Sequence, residues 1–399
     1  MGWKARPGRR RRVVLMTDLK ETDRTARPFF DPRLAPVVAV AAFCLSRAVL
    51  VFLAVAVGRD TGLAGLGATV RWDAQRYVDL ATNGYALDPA GHWAAMFPGL
   101  PLLLRALNGL GLSYALAGCL VSTVGSAVVC WGLYRLVRGG VAGAMAVLAW
   151  CFAPVAVFTF VPYTESLFLA LALWAWLKAR DGEWHWAALL AAGSCLFRVS
   201  GLFLVGALAL MAVFGAGRAE RPSGVLAVGR RLVWLVLPVG VLFAFLLYEK
   251  VHFGTWTAWL DAQESGWNRS FHWPWDAFTN TVDAVRVGGA DTWVFKAEIA
   301  AVGIGLAVTV WSLVRRRLAE AGWVGVHVGV YSVGYWFMTV PRSGLLWFPL
   351  WATIGEAAGL RLRGAWYWVR LVGLSLVLVA SAALMATWAV RYYRYGWAG

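Results

Sequence analysis

The sequence predicts an all-α protein that crosses a membrane many times, and three observations carry that prediction. The 399 residues are 60% apolar and only 15% charged, whereas about a quarter of the residues of a soluble domain are charged. The apolar residues form long uninterrupted runs. The basic residues give a net charge of +16 but lie in short clusters between these runs, as they do beside membrane helices. We therefore expect them to contact anionic membrane lipids rather than nucleic acid.

Residues 1–33 are polar and basic, and they predict a cytoplasmic N-terminal tail ahead of a membrane domain at 34–392. The apolar run from Ala35 to Val57 is too long for the core of a signal peptide, so it predicts an uncleaved first helix. The whole pattern predicts eleven hydrophobic helices in a plasma-membrane protein. The remaining hydrophobic segments lie at about 114–137, 141–160, 164–179, 186–213, 232–250, 293–314, 323–340, 344–360 and 366–390.

The segment 186–213 is interpreted as two short helices with a turn at residues 197–201. A single crossing there would place the basic run 315–317 outside the cell, against the rule that basic loops face the cytoplasm. Two short helices restore that rule, and a broken helix is tolerated where protein surrounds it. The cytoplasmic side then holds Arg135, Arg138, Lys178, Arg180, Arg218, Arg221, Arg230, Arg231, Arg315, Arg316, Arg317, Arg361 and Arg363.

The same topology places five polar segments on the extracytoplasmic side: loops 58–112 and 251–292, the turn 161–165, the turn at Arg198, and residues 340–343. In the first of these, residues 72–85 have helical periodicity. Asp73, Arg76, Asp79 and Asn83 share one face, and the opposite face is apolar. The pattern predicts an amphipathic helix at the membrane surface. A solvated helix with ordinary ion pairs is the alternative. In the stretch Met96 to Arg105 the prolines interrupt a helix start and a second short amphipathic helix is predicted to follow, with the entry to a transmembrane segment as the alternative.

Four charged residues lie where a membrane protein usually avoids charge. Arg47 is inside the first apolar run, and Arg198 and Arg342 lie at turns flanked by apolar residues. Such residues predict function by default, here phosphate binding by the two turn arginines, although the side chains could instead reach to the interface. Glu165, next to Tyr163, suits the first turn of a helix and is equally a candidate carboxylate of a site.

The loop 251–292 combines tryptophans, carboxylates and a base, including Trp267 and Arg269. This composition suits a sugar-binding surface, and a belt of interfacial tryptophans is the alternative. The five cysteines lie in apolar runs without ligand spacing. The sequence contains no nucleotide-binding motif. A transferase of this kind would therefore take its donor from the membrane, and we expect no cofactor and no metal.

Residues Arg71, Trp72, Asp73, Arg76 and Tyr77, with Ala81 and Gly84-Tyr85, resemble the first-loop signature of the PIG-V family of GT-C membrane glycosyltransferases. Later stretches are similar in kind and order, at Phe97-Pro98, 162–168, 197–201, 267–269, Arg342 and 348–350. The chain has Phe97-Pro98-Gly99-Leu100-Pro101 where the family usually reads Phe-Pro-Leu-Tyr-Pro, and Ser343 where it usually has Tyr. The acceptor is therefore left open.

The resemblance implies an inverting mannosyltransferase that uses a polyprenyl-phosphate sugar, with Asp73 as the catalytic residue. Asp79, on the same face, is the second candidate for the base. A carboxylate can take the proton of an acceptor hydroxyl, while Arg198, Arg269 or Arg342 stabilises the leaving phosphate. Substrate-binding roles are predicted for Arg71, Trp72, Arg76, Tyr77, Asp79, Tyr163, Glu165, Arg198, Trp267, Arg269 and Arg342. A transporter or flippase, and a non-catalytic membrane subunit, are the alternative functions.

Overall fold

The computed structural model describes residues 27–85, 92–215 and 224–398. Residues 1–26 of the predicted tail, and Arg218 and Arg221 of the predicted cytoplasmic side, lie outside these residues. Seventeen α-helices occur in the described part of the chain. They are α1 Ala35–Asp60, α2 Asp73–Asn83, α3 Gly99–Gly109, α4 Tyr114–Leu136, α5 Gly140–Cys151, α6 Glu165–Arg180, α7 Trp184–Cys195, α8 Ser200–Phe214, α9 Val225–Trp234, α10 Val236–Phe253, α11 Ala258–Trp267, α12 Pro274–Val287, α13 Thr292–Val314, α14 Leu318–Tyr331, α15 Val340–Gly344, α16 Phe348–Gly359 and α17 Gly364–Tyr393.

The all-α membrane fold is confirmed, and each of the ten predicted hydrophobic segments contains at least one helix. Five helical stretches are long and apolar enough to cross a membrane on their own: Pro32–Asp60, Tyr114–Leu136, Val225–Phe253, Thr292–Val314 and Gly364–Tyr393. The other apolar helices are shorter than the roughly 20 residues that a crossing needs. The segment 186–213 is indeed two helices, α7 and α8, with a break at 196–199. Short and broken helices are compatible with a membrane where neighbouring helices enclose their ends.

Two predicted boundaries are wrong. The segment 141–160 is helical only to Cys151, because Pro154 cannot continue an α-helix, and a 3-10 turn follows at Ala156–Thr159. The segment 323–340 is helical only to Tyr331. Thr339, further along, has a φ of +70°, a conformation that no α-helix contains. Both interruptions create polar turns within the apolar part of the chain.

The amphipathic helix predicted at 72–85 is α2, which buries Ala74, Tyr77, Leu80 and Ala81. The predicted second amphipathic helix is α3. The side chain of Arg105 in α3 joins the two helices, because its Nε donates to the carbonyl of Ala81 at 2.6 Å and its guanidinium reaches that of Thr82 at 3.2 Å. These carbonyls lie in the last turn of α2, where the backbone oxygens accept no hydrogen bond from within the helix. The loop 58–112, which is predicted to be external, therefore contains a pair of helices held together end to side.

Arg47 lies buried in α1 and contacts the 3-10 turn. It donates to the carbonyl and the hydroxyl of Thr159 at 2.8 and 2.9 Å, and its third neighbour is the hydroxyl of Ser126 at 3.4 Å. A buried cation is tolerated where its donors find acceptors. Arg47 therefore ties α1 and α4 to the segment that leads into Glu165, which makes it a structural rather than a cavity-lining residue.

The two ends of the bundle differ in charge. Glu165 is the first residue of α6 and Arg180 is the last, so the two lie about 22 Å apart along the helix axis. Arg135, Arg138 and Lys178 lie with Arg180 around one cleft at that far end. The predicted grouping of these basic residues is thus present, and it lies at the opposite end of α6 from Glu165.

Helix α5 packs most closely against α16, and small residues permit the approach. A Cβ added at Gly355 would overlap the carbonyl oxygen of Ala142 and lie 2.9 Å from the Cβ of Ala146. We expect the substitution Gly355→Ala to force the helices apart and to destabilise the protein by about 1–3 kcal/mol. The thermal unfolding midpoint in detergent measures this.

Gly373→Ala in α17 is the matched control, because nothing lies within 4 Å of a Cβ at that position. Alanine favours a helix over glycine by about 0.5–1 kcal/mol, so this variant should unfold at the parental temperature or slightly above it. Equal midpoints for the two variants would show that the contact between α5 and α16 is looser than described here.

Candidate active site

A cavity of about 540 Å³ lies where several separate parts of the chain meet. Its wall is built from the start of α2, residues 95–97, Phe158 and Tyr163, the break between α7 and α8, helix α11 with the loop after it, the end of α14, and α15. The last residues of the described chain, Tyr395 to Ala398, also contribute. Most of these are the segments that the predicted topology places on one side of the membrane. They converge on a single space.

Asp73 is the first residue of α2 and faces this cavity with 18% of its side chain exposed. One carboxylate oxygen accepts from the guanidinium of Arg342 at 3.1 Å. The other accepts from the indole N–H of Trp267 at 3.3 Å, and Arg76 lies 3.9 Å from it. The Arg76 guanidinium also stacks over the Trp267 ring at 4.2 Å. The carboxylate is therefore oriented from two sides and remains accessible.

Glu165 lies behind Asp73 and links two arginines. One of its oxygens accepts from Arg198 at 2.7 Å and also from the Nε of Arg342. The other oxygen is buried and has no hydrogen-bond partner among the described residues. Burial opposes the charge of Arg342, but the negative charges of Glu165 and Asp73 outweigh it and hold its pKa well above the ordinary value. At Arg198 burial also opposes the charge, but the negative charge of Glu165 outweighs this effect and raises the pKa of the guanidinium. Both guanidinium groups stay charged.

Arg269 differs from these two arginines because no carboxylate lies within 4 Å of it among the described residues. It donates to the hydroxyl of Thr339 at 2.5 Å and lies 5.3 Å from the ring centre of Tyr331. Burial and the nearby Arg342 lower its pKa below the ordinary value, but a guanidinium remains protonated at neutral pH. With Arg76, which lies near Asp73, four arginines thus face two carboxylates, and the charge of Arg269 is left available for an anion.

The backbone before Asp73 is strained. Trp72 has a φ of +53°, a conformation that non-glycine residues rarely adopt and that structures keep where neighbours enforce it. Tyr395 stacks on the Trp72 ring at 4.9 Å and also lies 5.1 Å from the guanidinium of Arg71. The Tyr392 hydroxyl lies 2.9 Å from the carbonyl of Arg71 and 3.0 Å from that of Thr69. The end of α17 therefore fixes the start of α2.

Arg342 is positioned by a carboxylate from a different helix. Glu298 is buried in α13, and its two oxygens accept from the backbone N–H groups of Thr339 and Val340 at 2.9 and 2.8 Å. These groups begin α15, and the first N–H groups of a helix have no partner within it. Glu298 satisfies two of them and supports the positive φ of Thr339. The Arg342 guanidinium then lies 4.5 Å from the ring centre of Tyr163.

Most of the predicted site residues meet at this cavity. Asp79 does not line it and instead accepts from the amide of Gln75 at 2.8 Å. Arg71 also lies outside the lining, against Tyr395, and Glu165 lies just behind the wall. The predicted residues that do line the cavity are Trp72, Asp73, Arg76, Tyr77, Tyr163, Arg198, Trp267, Arg269 and Arg342.

Sequence reasoning missed Tyr331, Glu298, Tyr392 and Tyr395. An acidic residue within the apolar run 293–314 is a usable signal, and it would have indicated Glu298. The tyrosines carry no comparable signal, because aromatic residues at the ends of membrane helices are usual. The hydroxyl of Tyr331 accepts a hydrogen bond from the guanidinium of Arg198 at 3.2 Å.

The site combines an oriented carboxylate, a surplus positive charge and neutral hydroxyl groups. Burial raises the pKa of Tyr77 to about 12, so its phenol is protonated and can donate a hydrogen bond. In the described part of the chain, no three His, Cys, Asp or Glu residues are grouped as metal ligands. These groups suit proton abstraction next to a leaving anion.

The charge of Glu165 is expected to stabilise the whole cluster. Glu165→Gln keeps the shape of the side chain but leaves Arg198 and Arg342 without a shared counter-ion. Removing one partner of a buried ion pair costs about 3–5 kcal/mol, so we expect a markedly lower unfolding temperature in detergent. Glu183→Gln removes the same charge from a partly exposed pair with Lys178 and should cost less than about 1 kcal/mol. Similar losses in the two variants would contradict the account.

No family model matches the chain. In sequence, the chain is 28% identical to GPI mannosyltransferase 2 of Schizosaccharomyces pombe over 138 residues, which cover 34% of this chain and 30% of that protein. It is 31% identical to the human GPI alpha-1,6-mannosyltransferase 2 over 158 residues, or 35% of this chain and 31% of that protein. The corresponding protein of Cricetulus griseus is 35% identical over 156 residues, with the same coverage. The chain thus matches about a third of the length of these relatives.

Among solved structures, the apo oligosaccharyltransferase of Archaeoglobus fulgidus superposes with a TM-score of 0.52 at 11% sequence identity. The match covers 90% of this chain and 56% of that one. At this identity the match shows the fold alone. The resemblance to the PIG-V family is therefore confirmed by sequence over about a third of the chain, and its GT-C-like membrane fold is confirmed over nearly the whole of it.

Proposed function

We propose that this chain is an integral-membrane inverting mannosyltransferase. It would move mannose from a polyprenyl-phosphate donor to a hydroxyl acceptor on the extracytoplasmic side of the plasma membrane. Support comes from relatives named as GPI mannosyltransferases and from the residues that meet at the cavity. The nature of the acceptor beyond its hydroxyl group is left open.

The observation that carries the proposal is the environment of Asp73. Its carboxylate lies between a guanidinium on one side and an indole N–H on the other. The guanidinium side leads to Arg342, Arg198 and Arg269, which suit a phosphate. The indole side leads to Trp267 and Trp259, both of which line the cavity, and aromatic faces suit the apolar face of a sugar. The carboxylate therefore stands between an anion site and an aromatic site.

The chemistry follows from this order. The acceptor hydroxyl attacks the anomeric carbon of mannose while its proton passes to the carboxylate of Asp73. A new carbon–oxygen bond forms, and the bond from the anomeric carbon to the phosphate oxygen breaks. The electron pair of that bond leaves with the phosphate. One displacement from the opposite face inverts the anomeric configuration.

The leaving group gains one negative charge in this step, because a phosphodiester becomes a phosphomonoester. The positive charge of Arg269, which has no carboxylate within 4 Å among the described residues, is suited to stabilise that charge as it develops. Arg342 and Arg198 are already paired with carboxylates, so they hold the local geometry and add donors. A buried site strengthens each of these interactions relative to water.

We expect the reaction to need no cofactor and no metal ion, since the arginines supply the positive charge. The donor's prenyl chain would lie in the membrane beside the bundle, with its phosphate raised to the level of α15. The N-terminus would be cytoplasmic, as the basic end of the bundle suggests.

Asp73→Asn tests the role of the base. The amide cannot accept the proton, so we expect turnover to fall by about 100-fold to 10,000-fold. The measurement uses purified protein in proteoliposomes, with radiolabelled polyprenyl-phosphate mannose and a membrane extract as the source of acceptors.

Asp79→Asn is the matched control, because Asp79 lies on the same helix, outside the cavity, and accepts a hydrogen bond from Gln75. It should retain most of the parental activity. If Asp73→Asn transfers mannose at the parental rate, Asp73 is not the base. If mannose transfer is lost in the Asp79→Asn variant alone, Asp79 is the base.

Arg269→Gln tests the stabilisation of the leaving group. Glutamine can keep a hydrogen bond to Thr339 but removes the charge, so we expect kcat to fall by about 100-fold. Arg286→Gln removes an exposed arginine that pairs with Asp283, and it should leave kcat unchanged. An equal effect of the two changes would mean that Arg269 acts only through the overall charge of the protein.

A further inference from the structure

A second cavity lies at the basic end of the bundle, far from the candidate active site. Its volume is about 500 Å³, and its charged lining consists of Arg135, Arg138, Lys178 and Arg180, with Asp181 as the acidic member. Trp131 and Trp174 form its apolar side. We call this space the basic cleft. A smaller cavity of about 320 Å³ shares Arg138 and Arg180 with it, so the two form a continuous surface.

The basic cleft keeps positive charge that the protein does not neutralise. Lys178 pairs with Glu183 at 2.8 Å, and Arg180 donates to the carbonyl of Leu136 at 3.0 Å. Arg135 and Arg138 have no carboxylate within 4 Å among the described residues. In the neighbouring cavity Arg317 is matched by Glu320 and Glu356, which leaves the surplus at Arg135 and Arg138.

The backbone at Arg138 fixes the position of this charge. Arg138, Gly139 and Gly140 have successive φ values of +63°, +73° and +62°, and the Tyr134 hydroxyl accepts from the backbone N–H of Gly140 at 3.2 Å. A positive φ at arginine is uncommon. The turn between α4 and α5 is thus a defined structure, and its arginine is held beside the basic cleft.

An apolar surface leads from the basic cleft along α4. Leu116, Leu120, Val124, Ala127 and Trp131 are exposed on that helix, and their spacings of four, four, three and four residues place them on one face. Arg135 continues the same face into the basic cleft. The stripe from Leu116 to Trp131 is about 22 Å long. It is therefore longer than the depth of one leaflet, which is half of a hydrocarbon core of about 30 Å.

We propose that the basic cleft and this stripe bind one anionic glycerophospholipid from the membrane leaflet at that end. The phosphate contacts Arg135 and Arg138, Trp131 and Trp174 lie at the level of the glycerol backbone, and one acyl chain follows the stripe. Basic pockets between membrane helices bind anionic head groups in this way. A free phosphate fits the arginines equally well but makes no use of the stripe, so the continuity of charge and apolar surface favours the lipid.

This site is independent of the proposed glycosyl transfer, because none of its residues lines the other cavity. The test measures lipid binding by native mass spectrometry of the purified, delipidated protein. Phosphatidylglycerol is compared with phosphatidylcholine of the same acyl chains, and inorganic phosphate and glycerol 3-phosphate are added as competitors. We expect one tightly bound phosphatidylglycerol, weak binding of phosphatidylcholine, and no displacement by either soluble phosphate.

The variant Arg135→Gln with Arg138→Gln should bind phosphatidylglycerol about 25-fold more weakly, because each basic residue near a lipid surface contributes about a factor of five. Arg315→Gln with Arg316→Gln removes the same charge from a turn that does not line the basic cleft, and it should change binding by less than about threefold. Asp181→Asn should strengthen binding about fivefold. This gain keeps the proposal testable if the double variant folds poorly.

Three results would overturn the proposal. The parent protein could bind the two lipids equally, which would leave the basic cleft without a role. The double variant, or the Asp181 variant, could bind phosphatidylglycerol as the parent does. Displacement by inorganic phosphate or glycerol 3-phosphate would assign the basic cleft to a soluble anion.

Discussion

The ion network that joins Asp73, Arg342, Glu165 and Arg198 is the constraint on which the candidate site depends. Its members come from α2, α15, the start of α6 and the break between α7 and α8, and Asp73 and Arg342 are separated by 269 residues in the sequence. A charge left unpaired in a buried position is strongly destabilising, so these four segments must meet for the protein to fold. The same requirement orients the carboxylate that the proposed reaction needs.

This constraint also explains why several helices are short. A helix end carries backbone groups without partners, and lipid cannot satisfy them. Here side chains from other helices do so: Glu298 binds the start of α15 beside the cavity, and Arg105 binds the last turn of α2 away from it. Helices that stop within the protein thus supply both the polar wall of the site and the partners that this wall requires.

The sequence predicted the all-α membrane fold and the amphipathic helix α2, because both follow from the periodicity of apolar residues. It also predicted the break near Arg198, since the distribution of basic residues admits no simpler topology. It indicated most of the residues around the cavity, but not that Asp79 points away or that Tyr395 packs on Trp72. Those facts depend on how distant segments pack, and Asp73 and Asp79 lie six residues apart on one helix, about 1.7 turns, without a local signal that distinguishes them. Helix α5 ends before Pro154, earlier than predicted. The prediction followed the apolar run, which continues past this proline.

The most direct measurement of the central claim is a cryo-electron microscopy structure of the Asp73→Asn protein in nanodiscs with polyprenyl-phosphate mannose. The account predicts that the donor phosphate contacts Arg269 and Arg342 and that the anomeric carbon faces residue 73 across the space beside Trp267. The prenyl chain should leave the cavity toward the membrane. A donor phosphate bound elsewhere, or a sugar separated from residue 73 by the wall of the cavity, would contradict the account.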